Sequence, residues 1–150
     1  MFVKLWSLFE EKKTVALPAN TSHVAFGEKI EKLLDGRSRN EVVVHVAFTP
    51  HGKSEAIANT CFLSRYKDIE FPKAVITTTS ERANDGFDVT VKSDAFARGV
   101  FLSIEGIDHF FSDNYFDLLP GEPVTIHVTT PLDKAVFDKQ LKAISISDAY

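Results

Sequence analysis

Strict alternation of apolar and polar residues recurs along this chain. That spacing commits a segment to a strand with one buried face, because successive side chains leave a strand on opposite sides. Phe87, Val89 and Val91 alternate with Asp88, Thr90 and Lys92, and Val124, Ile126 and Val128 alternate with Thr125, His127 and Thr129. Both segments read as half-buried antiparallel strands. Val100, Leu102 and Ile104 predict another strand, Ile144 and Ile146 a last one, and Val3, Leu5 and Phe9 a first. From Val42 to Phe48 both parities are largely apolar, which predicts a strand buried on both faces at the centre of a sheet. Turn-forming groups separate these runs at short intervals: Pro50-His51-Gly52, Asn84-Asp85-Gly86, Glu105-Gly106 and Pro120-Gly121-Glu122-Pro123. Glycine accepts φ > 0 and proline presets φ, so each group ends a strand for a stated reason. The spacing predicts an all-β sandwich.

Helical periodicity is confined to two short stretches. Between Glu28 and Leu34, Ile30, Leu33 and Leu34 fall at i, i+3 and i+4, and Gly36 stands where a C′ residue would. Between Leu132 and Lys139 the apolar positions are Leu132, Ala135 and Val136, while Pro131 and two Asp argue equally for a structured loop. A boundary is expected near Pro72-Lys73, after which Ala74 to Thr79 opens a fresh run rich in β-branched residues. Residues 74–150 then hold about six or seven predicted strands, the complement of an immunoglobulin-like sandwich. Met1 followed at once by a strand-like run reads as the start of a piece cut from a longer chain.

Composition narrows the function classes. With 17 Lys plus Arg against 21 Asp plus Glu the net charge is −4, and no basic cluster offers phosphate binding, so neither nucleic acid nor an anionic membrane is expected as a partner. No apolar run reaches the roughly 18 residues of a spanning helix. A single cysteine, Cys61, excludes an internal disulfide and leaves periplasm and cytosol both open.

Asp108, Asp113, Asp117 and Glu122 are interleaved with Phe110, Phe111, Tyr115 and Phe116, a mixture that could bind sugar or calcium. The simpler reading has the acids bonding loop backbone and the rings filling a core. Histidines at 23, 45, 51, 109 and 127 lack metal-ligand spacing, and no nucleophile elbow or glycine-rich phosphate loop occurs, so no metal and no cofactor are expected. Trp6 and Tyr66 read as packing rather than ligand platforms. Asn20-Thr21-Ser22 is a glycosylation acceptor only in a secreted eukaryotic protein.

One stretch is more specific: Phe110-Phe111-Ser112-Asp113-Asn114-Tyr115-Phe116-Asp117-Leu118-Leu119-Pro120-Gly121-Glu122. It is preceded by Asp94-Ala95-Phe96-Ala97-Arg98-Gly99-Val100-Phe101-Leu102 and followed by Val124-Thr125-Ile126 and the closing Ser145-Ile146-Ser147-Asp148-Ala149-Tyr150. Together these resemble the C-terminal immunoglobulin-like domain of β-mannosidases of glycoside hydrolase family 2. Leu17 to Ser22, Asn59-Thr60-Cys61-Phe62 and Phe71-Pro72-Lys73-Ala74 resemble the later part of the preceding β-sandwich in the same enzymes.

The resemblance implies a partial sandwich at 1–73, carrying the later strands of that domain, and a complete immunoglobulin-like sandwich at 74–150. It implies a parent that removes terminal β-linked mannose with retention, using an acid/base Glu and a nucleophilic Glu about 5 Å apart. In that family both stand on a (β/α)₈ barrel of about 250 residues, which this chain does not contain. No catalytic residue is therefore assigned, Glu105 and Glu122 included. The expected partners are the catalytic barrel and other domains of the parent, with its β-mannoside substrate, and the expected compartment is periplasmic or secretory and lysosome-like.

Within the motif, Phe116 and Leu118 are expected to face the core, Asn114 to bond nearby backbone, and Pro120-Gly121 to end the strand. Two other classes compete with this supporting role: a mannan-binding module using Phe110, Phe111 and Tyr115, and an adhesion or scaffold module. Exposure of those three rings favours binding, and their burial favours support.

Overall fold

The computed structural model describes residues 10–53 and 56–148, and the chain divides into two compact units, 1–70 and 71–150. The run containing Val3, Trp6 and Phe9 and the terminal Ala149-Tyr150 lie outside the described residues.

The first unit holds helix α1 (Ile30–Leu34), strands β1 (Val43–Phe48) and β2 (Ile57–Phe62), and a 3₁₀ turn at Tyr66–Asp68. Helix α1 ends through two left-handed residues, Asp35 at the C-cap (φ 48°) and Gly36 after it (φ 78°), so Gly36 stands at C′ as expected. β1 and β2 form an antiparallel hairpin that pairs Val44 with Cys61 and Phe48 with Ile57. The expected central, doubly buried strand is corrected here. Among the described residues β1 belongs to a two-stranded sheet, with Val46 56% and Phe48 52% exposed. An apolar run on both parities records how hydrophobic a strand is, and its neighbours are supplied by segments far away in sequence.

The second unit is an immunoglobulin-like β-sandwich. Its strands are β3 (Ile76–Ala83), β4 (Gly86–Ser93), β5 (Ala97–Ser103), β6 (Phe110–Phe111), β7 (Phe116–Leu118), β8 (Val124–Thr129) and β9 (Lys142–Ile144), with helix α2 (Lys134–Gln140) before the last. They form a four-stranded sheet ordered β3-β4-β8-β6 and a three-stranded sheet ordered β7-β5-β9. Alternation predicts the inner faces well. Phe87, Val89 and Val91 of β4, Val100 and Leu102 of β5, Leu118 of β7 and Val128 of β8 are all fully buried. Each side chain removed from water contributes roughly 1.5–3 kcal/mol, so this inner layer is what holds the unit together.

One open expectation is decided and two are corrected. The stretch after Pro131 is a helix, and its buried residue is Phe137, stacked on Phe87 at 4.1 Å, while Val136 is 40% exposed. Ile146 does not extend the last strand, because β9 stops at Ile144 and residues 146–148 form a 3₁₀ turn. Gly86, read as a turn glycine, is the first residue of β4, and no positive φ is needed there. Its reason is space: a Cβ at Gly86 would stand 1.8 Å from the carbonyl oxygen of Val128 on the neighbouring strand.

Gly99 is the contrasting case. It adopts φ 58° within β5, where the pairing with β7 shifts register between Ala97 and Val100, so here glycine does supply a left-handed residue for a bulge.

Candidate functional site

The segment from Phe110 to Glu122 passes from the four-stranded sheet to the three-stranded one. Phe110 and Phe111 pair with Thr129 and Val128 of β8. The pleat turns Phe110 outward, 68% exposed, and Phe111 inward against the core. Ser112 then ties the turn to β8, since its N–H donates to the His127 carbonyl at 2.8 Å and its Oγ accepts from the His127 N–H at 2.9 Å.

Asn114 is the clamp of the segment. Its Oδ1 accepts from the Leu102 N–H at 2.8 Å, and its Nδ2 donates to the Leu102 carbonyl at 2.9 Å. Asp113 in turn accepts from the Asn114 N–H at 2.8 Å. Because β7 begins only at Phe116, paired with Val100, Asn114 stands at the rung that would face Leu102, and its side-chain amide replaces the missing backbone partner.

Tyr115 follows at φ 63°, a left-handed value uncommon for a bulky residue. Its ring stacks on Phe101 at 4.9 Å and 25°, with the residue 71% exposed. In β7, Leu118 is fully buried and Phe116 is half-buried against the core. Asp117 pairs with Arg98 and accepts from the Gly99 N–H at 3.0 Å, so it secures the bulge of β5. Pro120 and Gly121 (φ 76°) make the closing turn, in which the Glu122 N–H donates to the Leu119 carbonyl at 3.2 Å. A positive φ at the third position of such a turn explains the glycine.

The candidate rings thus occupy different places. Phe110 borders a shallow hollow of about 620 Å³ together with Arg82, Asp85, Asp108 and His109. Phe111 packs into the core, and Tyr115 lies over the other sheet. Of the acidic residues, Asp113 and Asp117 are engaged with backbone. Glu105 forms an exposed ion pair with Lys142, whose hydrogen bond holds the carboxyl below its ordinary range, the opposite of what a general acid requires. Among the described residues no three His, Cys, Asp or Glu side chains converge as metal ligands would.

One arrangement escapes a reading of the sequence. His127 bridges two carboxylates, with Nδ1 2.7 Å from Asp88 and Nε2 2.9 Å from Asp85. These bonds, Asp88 first, raise the imidazole's pKa above its ordinary value, and the bond from His127 lowers that of Asp85. Asp88 and His127 both sit on the polar parity of their strands, which is the only trace in the sequence. Their meeting depends on the β4–β8 register that pairs them. Phe101, the support beneath Tyr115, was likewise unrecognisable as anything but a strand residue.

Comparison with known proteins agrees with this architecture. A family model described as an Ig-fold domain, that of the mannosidase immunoglobulin family, matches residues 71–149. A second, described as a Mannosidase Ig/CBM-like domain, matches residues 4–68. No curated protein matches the sequence. Among solved structures the chain is similar to the β-D-mannosidase of Dictyoglomus thermophilum, with a TM-score of 0.65 and 18% identity over 75% of this chain. It spans 14% of the length of that enzyme, and at this identity the likeness speaks for the fold alone. With the family model covering just over half of its length, the chain belongs to the mannosidase immunoglobulin-fold domain family.

Proposed function

We propose that the chain is the non-catalytic C-terminal part of a retaining β-mannosidase and that it supports the enzyme's catalytic barrel. The observation that carries this reading is the pair of mannosidase domain models matched in tandem, at 4–68 and 71–149. The chemistry of the described residues supports it, since Asp113 and Asp117 of the recognition motif bond backbone N–H groups and Asp117 also pairs with Arg98. A sandwich in this position acts on rate through positioning, by bracing the elements that carry the acid and the nucleophile.

Residues 1–73 are read as part of a sandwich whose remaining strands cover its apolar face. Val46, Phe48 and Ile57 support this, being exposed, with Phe48 and Ile57 paired across the hairpin and so on one face. The test is incubation of the purified chain with a chromogenic β-mannoside. No turnover above blank is expected, and turnover that survives repurification would overturn the non-catalytic reading.

A further inference from the structure

We propose that the open face of Tyr115 is a carbohydrate subsite that receives one ring of a hexose chain.

Tyr115 combines three properties that core packing does not explain. Its backbone is left-handed at φ 63°, a strained state for a bulky side chain, yet the residue is 71% exposed and so gains little burial in exchange. The strain is imposed from outside, by Asn114, which grips both backbone groups of Leu102 and accepts from the Tyr115 N–H at 3.2 Å. The result is a ring braced from beneath by Phe101, 4.9 Å away and within 25° of parallel, with its other face presented to solvent. A fixed ring of this kind offers its electron-rich face to the C–H groups of a sugar without losing rotamer freedom on binding.

The surroundings favour a sugar over a protein partner. Phe101 pairs across the sheet with Ile144, 50% exposed, so the apolar surface runs across the strands from Tyr115 through Phe101 to Ile144. Along β5 it is bounded on both sides. Two residues before Phe101, roughly 6.6 Å along the strand, the Gly99 N–H is held by Asp117, which pairs with Arg98. Two residues after it, Ser103 pairs with Lys142, which is bridged to Glu105. An apolar strip between two charged borders matches a sugar ring, whose faces are apolar and whose edges carry hydroxyls.

This proposal stands apart from the supporting role, which persists if no sugar binds. The test uses the full ¹⁵N-labelled chain, titrated in ¹H–¹⁵N NMR with β-1,4-mannohexaose and, separately, cellohexaose. At least one is expected to give saturable shifts, in the millimolar range, centred on Phe101, Tyr115 to Asp117 and Lys142 to Ile144. Tyr115→Phe should bind within twofold of the original. Tyr115→Asn, which keeps a residue tolerant of the left-handed backbone, should bind at least tenfold more weakly at an unchanged melting temperature. The proposal is overturned by an absence of saturable shifts with both sugars, by shifts centred on the hollow beside Phe110, or by undiminished binding of Tyr115→Asn.

Discussion

Replacing Asn114 by alanine isolates the contribution of a side chain that stands in for a strand. The amide makes two bonds to Leu102, one to its N–H and one to its carbonyl, and Leu102 is the next-to-last residue of β5 with its side chain fully buried. Alanine leaves both backbone groups without these partners. A buried polar group that loses its partner costs about 1–3 kcal/mol, and the position at the edge of β7 lets water reach one of the two, so the expected total is about 2–4 kcal/mol. For a domain of 60–100 residues each kcal/mol lowers the melting temperature by roughly 4–8 °C, which places the loss at roughly 8–32 °C by calorimetry. Asn114→Asp sharpens the argument. It keeps the acceptor for the Leu102 N–H but sets a carboxylate against the Leu102 carbonyl, which raises the folded-state pKa of the new acid. Its deficit should therefore be full at pH 7 and shrink as pH falls through that raised value, when the protonated acid donates again. A melting temperature for Asn114→Ala within 2 °C of the original would refute the reasoning.

Gly86→Ala should be among the most damaging single changes, because a Cβ placed 1.8 Å from the Val128 oxygen forces β4 and β8 apart; a loss of at least about 3 kcal/mol in urea unfolding is expected. Phe137→Ala should cost about 3–5 kcal/mol, while Val136→Ala one position earlier should cost under about 1 kcal/mol, since only the Phe137 side chain is buried. The pKa of His127 is raised in the fold, so its stabilising effect is complete below the ordinary imidazole value near 6.5 and is lost as pH rises through the elevated one. The depressed pKa of Asp85 extends the effect down through the acid range, until that carboxyl is protonated. Accordingly, the melting-temperature gap between the original and His127→Gln should be widest near pH 5–6 and close toward pH 9.

What could be read from the sequence follows the range of the interactions involved. Alternation in β4 and β8 reports a local relation between a residue and its own strand, so the inward sets Phe87, Val89, Val91 and Ile126, Val128 were legible. Helix α2 was half legible. Its apolar positions were visible, but whether Ala135, Val136 or Phe137 faces inward depends on where the helix lands, and the stack on Phe87 decides that. β1 misled for the same reason, since its apolar residues on both parities do not say how many neighbours it has. Asn114 was legible as a backbone-bonding residue, because an Asn before a strand has that chemistry. The left-handed Tyr115, its support Phe101 and the His127 bridge were not, as each depends on a register between distant strands.

The β4–β8 pairing has a consequence for how the protein is made. It joins Asp88 to His127 across 39 residues of sequence, and β5, β6 and β7 lie in the interval. Loop closure over such a span must precede the contacts that reward it, which places this sandwich among slow, nonlocal folders. During synthesis β3 and β4 leave the ribosome as a hairpin whose second strand has an unpaired edge and an apolar face of Phe87, Val89 and Val91. At about 5–20 residues per second that face waits several seconds for β8, and somewhat longer for the ring of Phe137. The hazardous period for this sandwich therefore falls between the synthesis of β4 and that of β8, and a chaperone that shields a nascent hairpin would act there.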